Sequence, residues 1–205
     1  MRYTNKDLTI VEGLEVIRRR PSMYIGAGVS EGSSLCPRLL EAALNGVVDD
    51  MPAPSAVRVT RWRDGAFTIA WDGEPFPIGT SQPLPVAVPH PELYRFFLYL
   101  HNAEHRLAFS GAIVNALSER LVVSTVHDGE RYRAVFSRGM LVSLLAKAPC
   151  QVPLGSNWLT FLPDSDLLGG AVSSAESAEI VTRVGSRRAL VSIEDRSSDE
   201  ADWYS

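Results

Sequence analysis

Apolar residues recur at helical spacing near the start of the chain, where Leu8, Val11, Leu14 and Ile17 share one face. Asp7 precedes them as a cap, and Pro21 is expected to stop the helix. Arg18, Arg19 and Arg20 close the segment, either as charge suited to a helix C-terminus or as a basic contact patch. Gly26, Gly28 and Gly32 mark a loop. A second amphipathic stretch begins near Ser33 or Ser34 and runs to about Asp50. Its apolar stripe is Leu35, Leu39, Leu40, Ala43 and Val47, and Pro37 sits in the tolerated first turn. Pro52 and Pro54 break it.

The period then changes to two. Val57 and Val59 alternate with Arg58 and Thr60, Asp64-Gly65 signals a hairpin turn, and Phe67 and Ile69 alternate on the return strand. Pro75, Pro77, Pro83, Pro85, Pro89 and Pro91 predict a stiff irregular loop over 75–91. Helical patterns follow at 91–103 and 107–118. A second hairpin turns at Asp128-Gly129 between strands 121–126 and 131–136, and another strand covers 158–162. Residues 174–188 read helical, with Ala178, Val181 and Val184 on one face, and 190–193 as a last strand. From Arg196 the tail is polar and acidic and is expected to be disordered. Two hairpins imply antiparallel pairing. With the helices gathered on one face, the fold class is α+β: a two-layer sandwich with a mixed, mostly antiparallel sheet.

Charge narrows the partners. Lys+Arg is 20 against Asp+Glu 24, so the chain lacks the basic excess of a protein that grips duplex DNA through its own surface. No run of apolar residues is long enough to span a membrane, and the N-terminus has no signal-type apolar region, so the expected compartment is the cytoplasm. Cys36 and Cys150 share no metal-type spacing and read as two buried thiols. Only two lysines, Lys6 and Lys147, are available for phosphate chemistry.

Three stretches carry a resemblance. Residues 3–26 include the run Arg18-Arg19-Arg20-Pro21-Ser22-Met23-Tyr24-Ile25-Gly26; residues 39–45 place Glu41 four positions before Asn45; residues 113–121 read Ile-Val-Asn-Ala-Leu-Ser-Glu-Arg-Leu. Together they resemble the ATPase domain of the gyrase B and topoisomerase IV type, within the GHKL (Bergerat) fold, over roughly residues 3–195. The resemblance implies an N-terminal arm at 1–8, a single ATPase-like domain at 9–195 and a tail at 196–205. The domains that in the family follow the nucleotide-binding lobe are not expected in this sequence.

In such a domain a glutamate is the general base that polarises the attacking water, and an asparagine one helical turn later binds magnesium on ATP. The resemblance puts Glu41 and Asn45 in those roles, and Asp49, Asp72, Gly73 and Ser156 around the nucleotide. Tyr3 and Leu8 match the arm's contacts, which in the family cross a dimer. Departures accompany these matches. Residues 70–77 read Ala-Trp-Asp-Gly-Glu-Pro-Phe-Pro, so either Trp71 stands where the family's adenine-binding aspartate belongs or, with one residue deleted, Asp72 does. Glu74 replaces an arginine and is expected to face Glu41 or Asp49 as a like charge. The glycine-rich lid that cradles phosphates is reduced to residues 101–112, where only Gly111 remains. His101 and His105 there sit four residues apart, a spacing that can bind metal, but without a carboxylate they read as a helix-surface pair. The expectation is a degenerate relative with impaired ATP turnover. It would act as a binding or regulatory module on a gyrase-type subunit or on itself through the arm. The alternatives are a weak Mg-dependent ATPase and a small-molecule (drug) binding protein.

Overall fold

The computed structural model describes residues 13–26, 32–49, 54–80, 91–100, 106–149, 155–185, 190–199 and 201. Among the described residues seven strands form one sheet: β1 (Ala56–Trp62), β2 (Phe67–Trp71), β3 (Ser118–His127), β4 (Glu130–Ser137), β5 (Met140–Ala148), β6 (Asn157–Pro163) and β7 (Leu190–Arg196), in the order β5-β4-β3-β6-β2-β1-β7. Every pairing is antiparallel except β1 with β7. The helices are α1 (Glu15–Arg19), α2 (Pro21–Ile25), α3 (Cys36–Val48), α4 (Tyr94–Leu98), α5 (Arg106–Leu117), α6 (Ser165–Leu168) and α7 (Ser174–Gly185). The two-layer α+β expectation is borne out.

Turn chemistry builds the hairpins. At the β1–β2 turn Gly65 sits at φ +83 and the Ala66 amide donates to Asp64 Oδ1 at 3.1 Å. At β3–β4, Asp128 and Gly129 both take positive φ, which matches the twist of the flanking strands. Arg138 and Gly139 repeat that geometry between β4 and β5. Local pattern does not predict β5, because Arg-Gly is not a strong turn signal and residues 140–148 do not alternate cleanly. Leu141 and Leu145 pack against the core while Met140, Val142 and Leu144 are exposed, across two register shifts against β4.

The core lies between the sheet and the helix layer. Alternation brings Ile69 of β2, Val123 of β3, Phe136 of β4 and Phe161 of β6 to the helix side. There they meet Leu40 and Leu44 of α3, Ile113 and Leu117 of α5, and Val184 of α7, all buried. α3 packs between α5 and α7, and α4 packs on α5.

Several boundaries differ from expectation. Pro21 begins α2 rather than ending the helical region, because proline is tolerated where no intrahelical N–H is needed. The helical pattern at 91–103 yields only α4 among the described residues. The short helix α6 has no counterpart in the sequence pattern. Arg196 is the last residue of β7 rather than the start of a disordered tail. Beyond it, the Arg63 amide donates to the Asp199 carbonyl at 2.8 Å and Ala201 is buried.

Arg18 explains part of the basic run. Its Nη1 donates to the Ala116 carbonyl at 2.7 Å and its Nη2 to Asp164 Oδ2 at 2.9 Å; Arg138 Nε reaches the same oxygen at 3.1 Å. This ties α1 to α5, to the β4–β5 turn and to the start of α6. Arg19 pairs instead with exposed Glu15.

Candidate functional site

α3 presents Glu41, Asn45 and Asp49 along one half-exposed stripe, as spacing of four on a helix requires. Both oxygens of Glu41 are engaged. Arg38 Nη1 donates to Oε2 at 2.8 Å and Arg183 Nη2 of α7 lies 3.2 Å from Oε1. A cavity of about 300 Å³ opens beside this pair between α3 and α7, lined by Ser34, Arg38, Glu41, Glu179, Ile180 and Arg183. Glu74 is exposed, and the described ionic partners of Glu41 are two arginines, so the anticipated like-charge contact is not what surrounds it. Among the described residues no cluster of His, Cys, Asp or Glu is arranged to hold a metal ion by itself.

Across the layer, Phe67, Ile69 and Trp71 alternate toward the helices, and Trp71 at the end of β2 is 7% exposed. Its indole meets the Phe76 ring edge-on, with centroids 5.7 Å apart; Phe76 in turn packs on Phe96 at 5.4 Å and Phe97 at 5.6 Å. Asp72 and Gly73, one and two residues further on, are exposed. Of the two placements considered for the adenine-binding position, Trp71 is the inward one.

Asn157, opposite Trp71 in the β2–β6 register, is not among the residues that the sequence singles out. It is 1% exposed. Its Oδ1 accepts from the Phe76 amide at 3.0 Å and from Thr125 Oγ1 at 2.8 Å, and its Nδ2 donates to the Glu74 carbonyl at 2.9 Å. The Phe76 amide also donates to Thr125 Oγ1 at 2.9 Å, and His127 Nε2 lies 2.6 Å from the Phe76 carbonyl. Loop 74–76 is therefore strapped to β3 and β6. The signal that would have found Asn157 is its phase: it is a polar residue in step with inward Leu159 and Phe161. Ser156, to which the resemblance points instead, lies just before β6 and is half-buried, with its carbonyl accepting from Val126.

Gly111 lies inside α5, where a β-carbon would stand 2.6 Å from the Phe96 carbonyl oxygen and 3.1 Å from the Phe97 ring. Glycine there lets α5 approach α4. Two residues of the same region complete the contact: Asn115 Nδ2 donates to the Phe97 carbonyl at 2.8 Å, and Gly139 donates its amide to the Asn115 carbonyl at 3.0 Å. Cys36 is buried with its Sγ 2.8 Å from the Gly170 carbonyl, and burial pushes its thiol up, which suits an inert structural role. Tyr3, Leu8, His101, His105 and Cys150 lie outside the described residues.

No family model matches the chain. It is 31% identical over 181 residues to the B subunit of DNA gyrase from Thermus thermophilus, covering 82% of this chain and 28% of that protein. It is 31% identical over 180 residues to the B subunit of the type 2 topoisomerase of Aquifex aeolicus (80% and 22%) and 27% identical over 175 residues to the B subunit of DNA topoisomerase 4 from Rickettsia conorii (80% and 26%). Among solved structures it is similar to the 43K ATPase domain of Thermus thermophilus gyrase B in complex with an aminocoumarin, with a TM-score of 0.70 and 27% identity over 92% of this chain and 50% of that one. The chain carries the fold of the gyrase B ATPase domain and is similar to it in sequence. It spans about a quarter of the length of these curated relatives. Among the described residues no helix is long and apolar enough to cross a membrane.

Proposed function

We propose that this gyrase B-like lobe does not turn over ATP and works as a binding or regulatory module. The observation that carries the reading is Glu41 held between Arg38 and Arg183. A general base needs an oxygen aimed at the attacking water, and both oxygens of this carboxylate already take guanidinium donors. Two further features support it. Gly111, the remaining glycine of the shortened lid, is taken up in packing α5 on α4 rather than in a loop whose amides face a phosphate. Trp71 and Phe76 are buried against each other at the end of β2, with Phe76 packed on Phe96 and Phe97 of α4. The residues present therefore do not fit a magnesium–nucleotide complex, although Asn45 and Asp49 keep the helix face that such a complex would need. The partner that suits this reading is a gyrase-type subunit or a second copy of the chain, engaged through residues 1–8.

The test is Mg-dependent phosphate release by the purified chain beside its Glu41→Ala variant. Both are expected to stay at background. Turnover that Glu41→Ala abolishes would overturn the reading in favour of a weak ATPase. Sedimentation of the chain alone and mixed with intact gyrase B is expected to give a heavier species in one of the two; a monomer in both removes the binding half of the proposal.

A further inference from the structure

We infer that Trp71 is an intramolecular plug, its indole occupying the space that a nucleotide base would take in this fold, so that the pocket is closed by the chain's own side chain. The inference rests on the reading above and names how the site is shut. Indole and adenine are both flat fused bicycles of a five- and a six-membered ring, so one can replace the other in shape. Trp71 enters from the end of β2 on the helix side and is 7% exposed. Phe76 meets it edge-on at 5.7 Å, 4% exposed itself. Phe76 does not sit there loosely: its amide and carbonyl are held by Thr125, Asn157 and His127 from β3 and β6. The backbone that carries the indole is itself held close, because a β-carbon at Gly155 would stand 2.6 Å from the Trp71 carbonyl oxygen. The surroundings of the indole are thus fixed on the sheet side by hydrogen bonds that do not involve the indole. Removing the ring from such a frame leaves a shaped void instead of a collapsed one, and voids of this kind take up aromatic molecules of matching size.

The experiment is thermal unfolding of wild type and Trp71→Ala with indole, with adenosine and with a non-hydrolysable ATP analogue plus magnesium. Wild type is expected to be unmoved by all three. Trp71→Ala is expected to unfold at a lower temperature and to recover several degrees with saturating indole or adenosine. A folded Trp71→Ala protein that neither indole nor adenosine stabilises overturns the plug and leaves the non-hydrolysing reading standing. A wild-type shift with the ATP analogue overturns the plug, while the non-hydrolysing reading falls only with turnover that Glu41→Ala abolishes. If Trp71→Ala does not fold, Trp71→Leu leaves a smaller void and is read with benzene, where stabilisation absent from wild type supports the plug and its absence overturns it.

Discussion

Asp164 and Glu41 are both carboxylates gripped by two arginines, at different parts of the molecule and with different consequences. Asp164 is 6% exposed in its side chain and takes Arg18 and Arg138 on a single oxygen; Glu41 is 16% exposed and takes Arg38 and Arg183 on separate oxygens, with arginines 36% and 43% exposed. The first joins α1, α5, the β4–β5 turn and α6, elements far apart in sequence. The second joins α3 to its neighbour α7 beside a cavity. The lesson is that a family-like motif and a family-like catalytic position can both end as ion pairs, and burial decides how much each one matters to the fold.

The sharpest way to break the contrast is Asp164→Ala. It leaves half-buried Arg18, 18% exposed, without its carboxylate though still bonded to the Ala116 carbonyl, so the loss is expected at the lower end of the range of about 3–5 kcal/mol for breaking a buried pair, readable in chemical denaturation. The same group has an acid signature. Burial pushes the Asp164 carboxyl up, but the hydrogen bonds from Arg18 and Arg138 outweigh it and hold it below the usual carboxylate range. A lowered folded value stabilises the protein above the unfolded carboxylate pKa of about 4, and that contribution fades as pH falls through the lowered value. Asp164→Asn should therefore flatten the acid limb of the stability profile while lowering stability at neutral pH; an unchanged acid limb would assign it to other carboxylates.

A smaller effect separates packing from phosphate binding at Gly111. In an open helix position Gly→Ala stabilises by about 1 kcal/mol, but here the added methyl meets the Phe96 carbonyl, so Gly111→Ala should destabilise by about 1–3 kcal/mol. A gain in stability would mean that the α4–α5 contact is not what requires the glycine. The smallest effect belongs to Glu41→Gln. Its arginine partners are more than a third exposed, so solvent screening limits the loss to about 1 kcal/mol or less. A loss as large as that of Asp164→Ala would make the two carboxylates equivalent and end the comparison.

Much of the scaffold was legible from residues alone. The α3 stripe, the Asp64-Gly65 and Asp128-Gly129 hairpins and the helix at 174–185 all follow from local period and turn chemistry, while most of the proline-rich stretch lies outside the described residues. β5 was missed because its turn is Arg-Gly and its bulged pairing destroys alternation. The candidate site was legible only in part. Sequence placed Glu41 and Asn45 on one helix face, which is a local property. Asn157, one residue after Ser156, is the inward one opposite Trp71, a fact of strand phase that a list of family-like residues does not carry.

What the amino-acid sequence determined by itself is therefore the short-range part: which segments are helix or strand, where hairpins turn, and the likeness to the gyrase B ATPase lobe. Only the tertiary structure decided that Arg18 reaches Asp164 across the fold, that Arg183 of α7 closes on Glu41, and that Trp71 is packed under Phe76. The physical reason is range. Helical period and turn preference act over a few residues, whereas charge pairing and ring packing depend on which elements the chain brings together from distant positions.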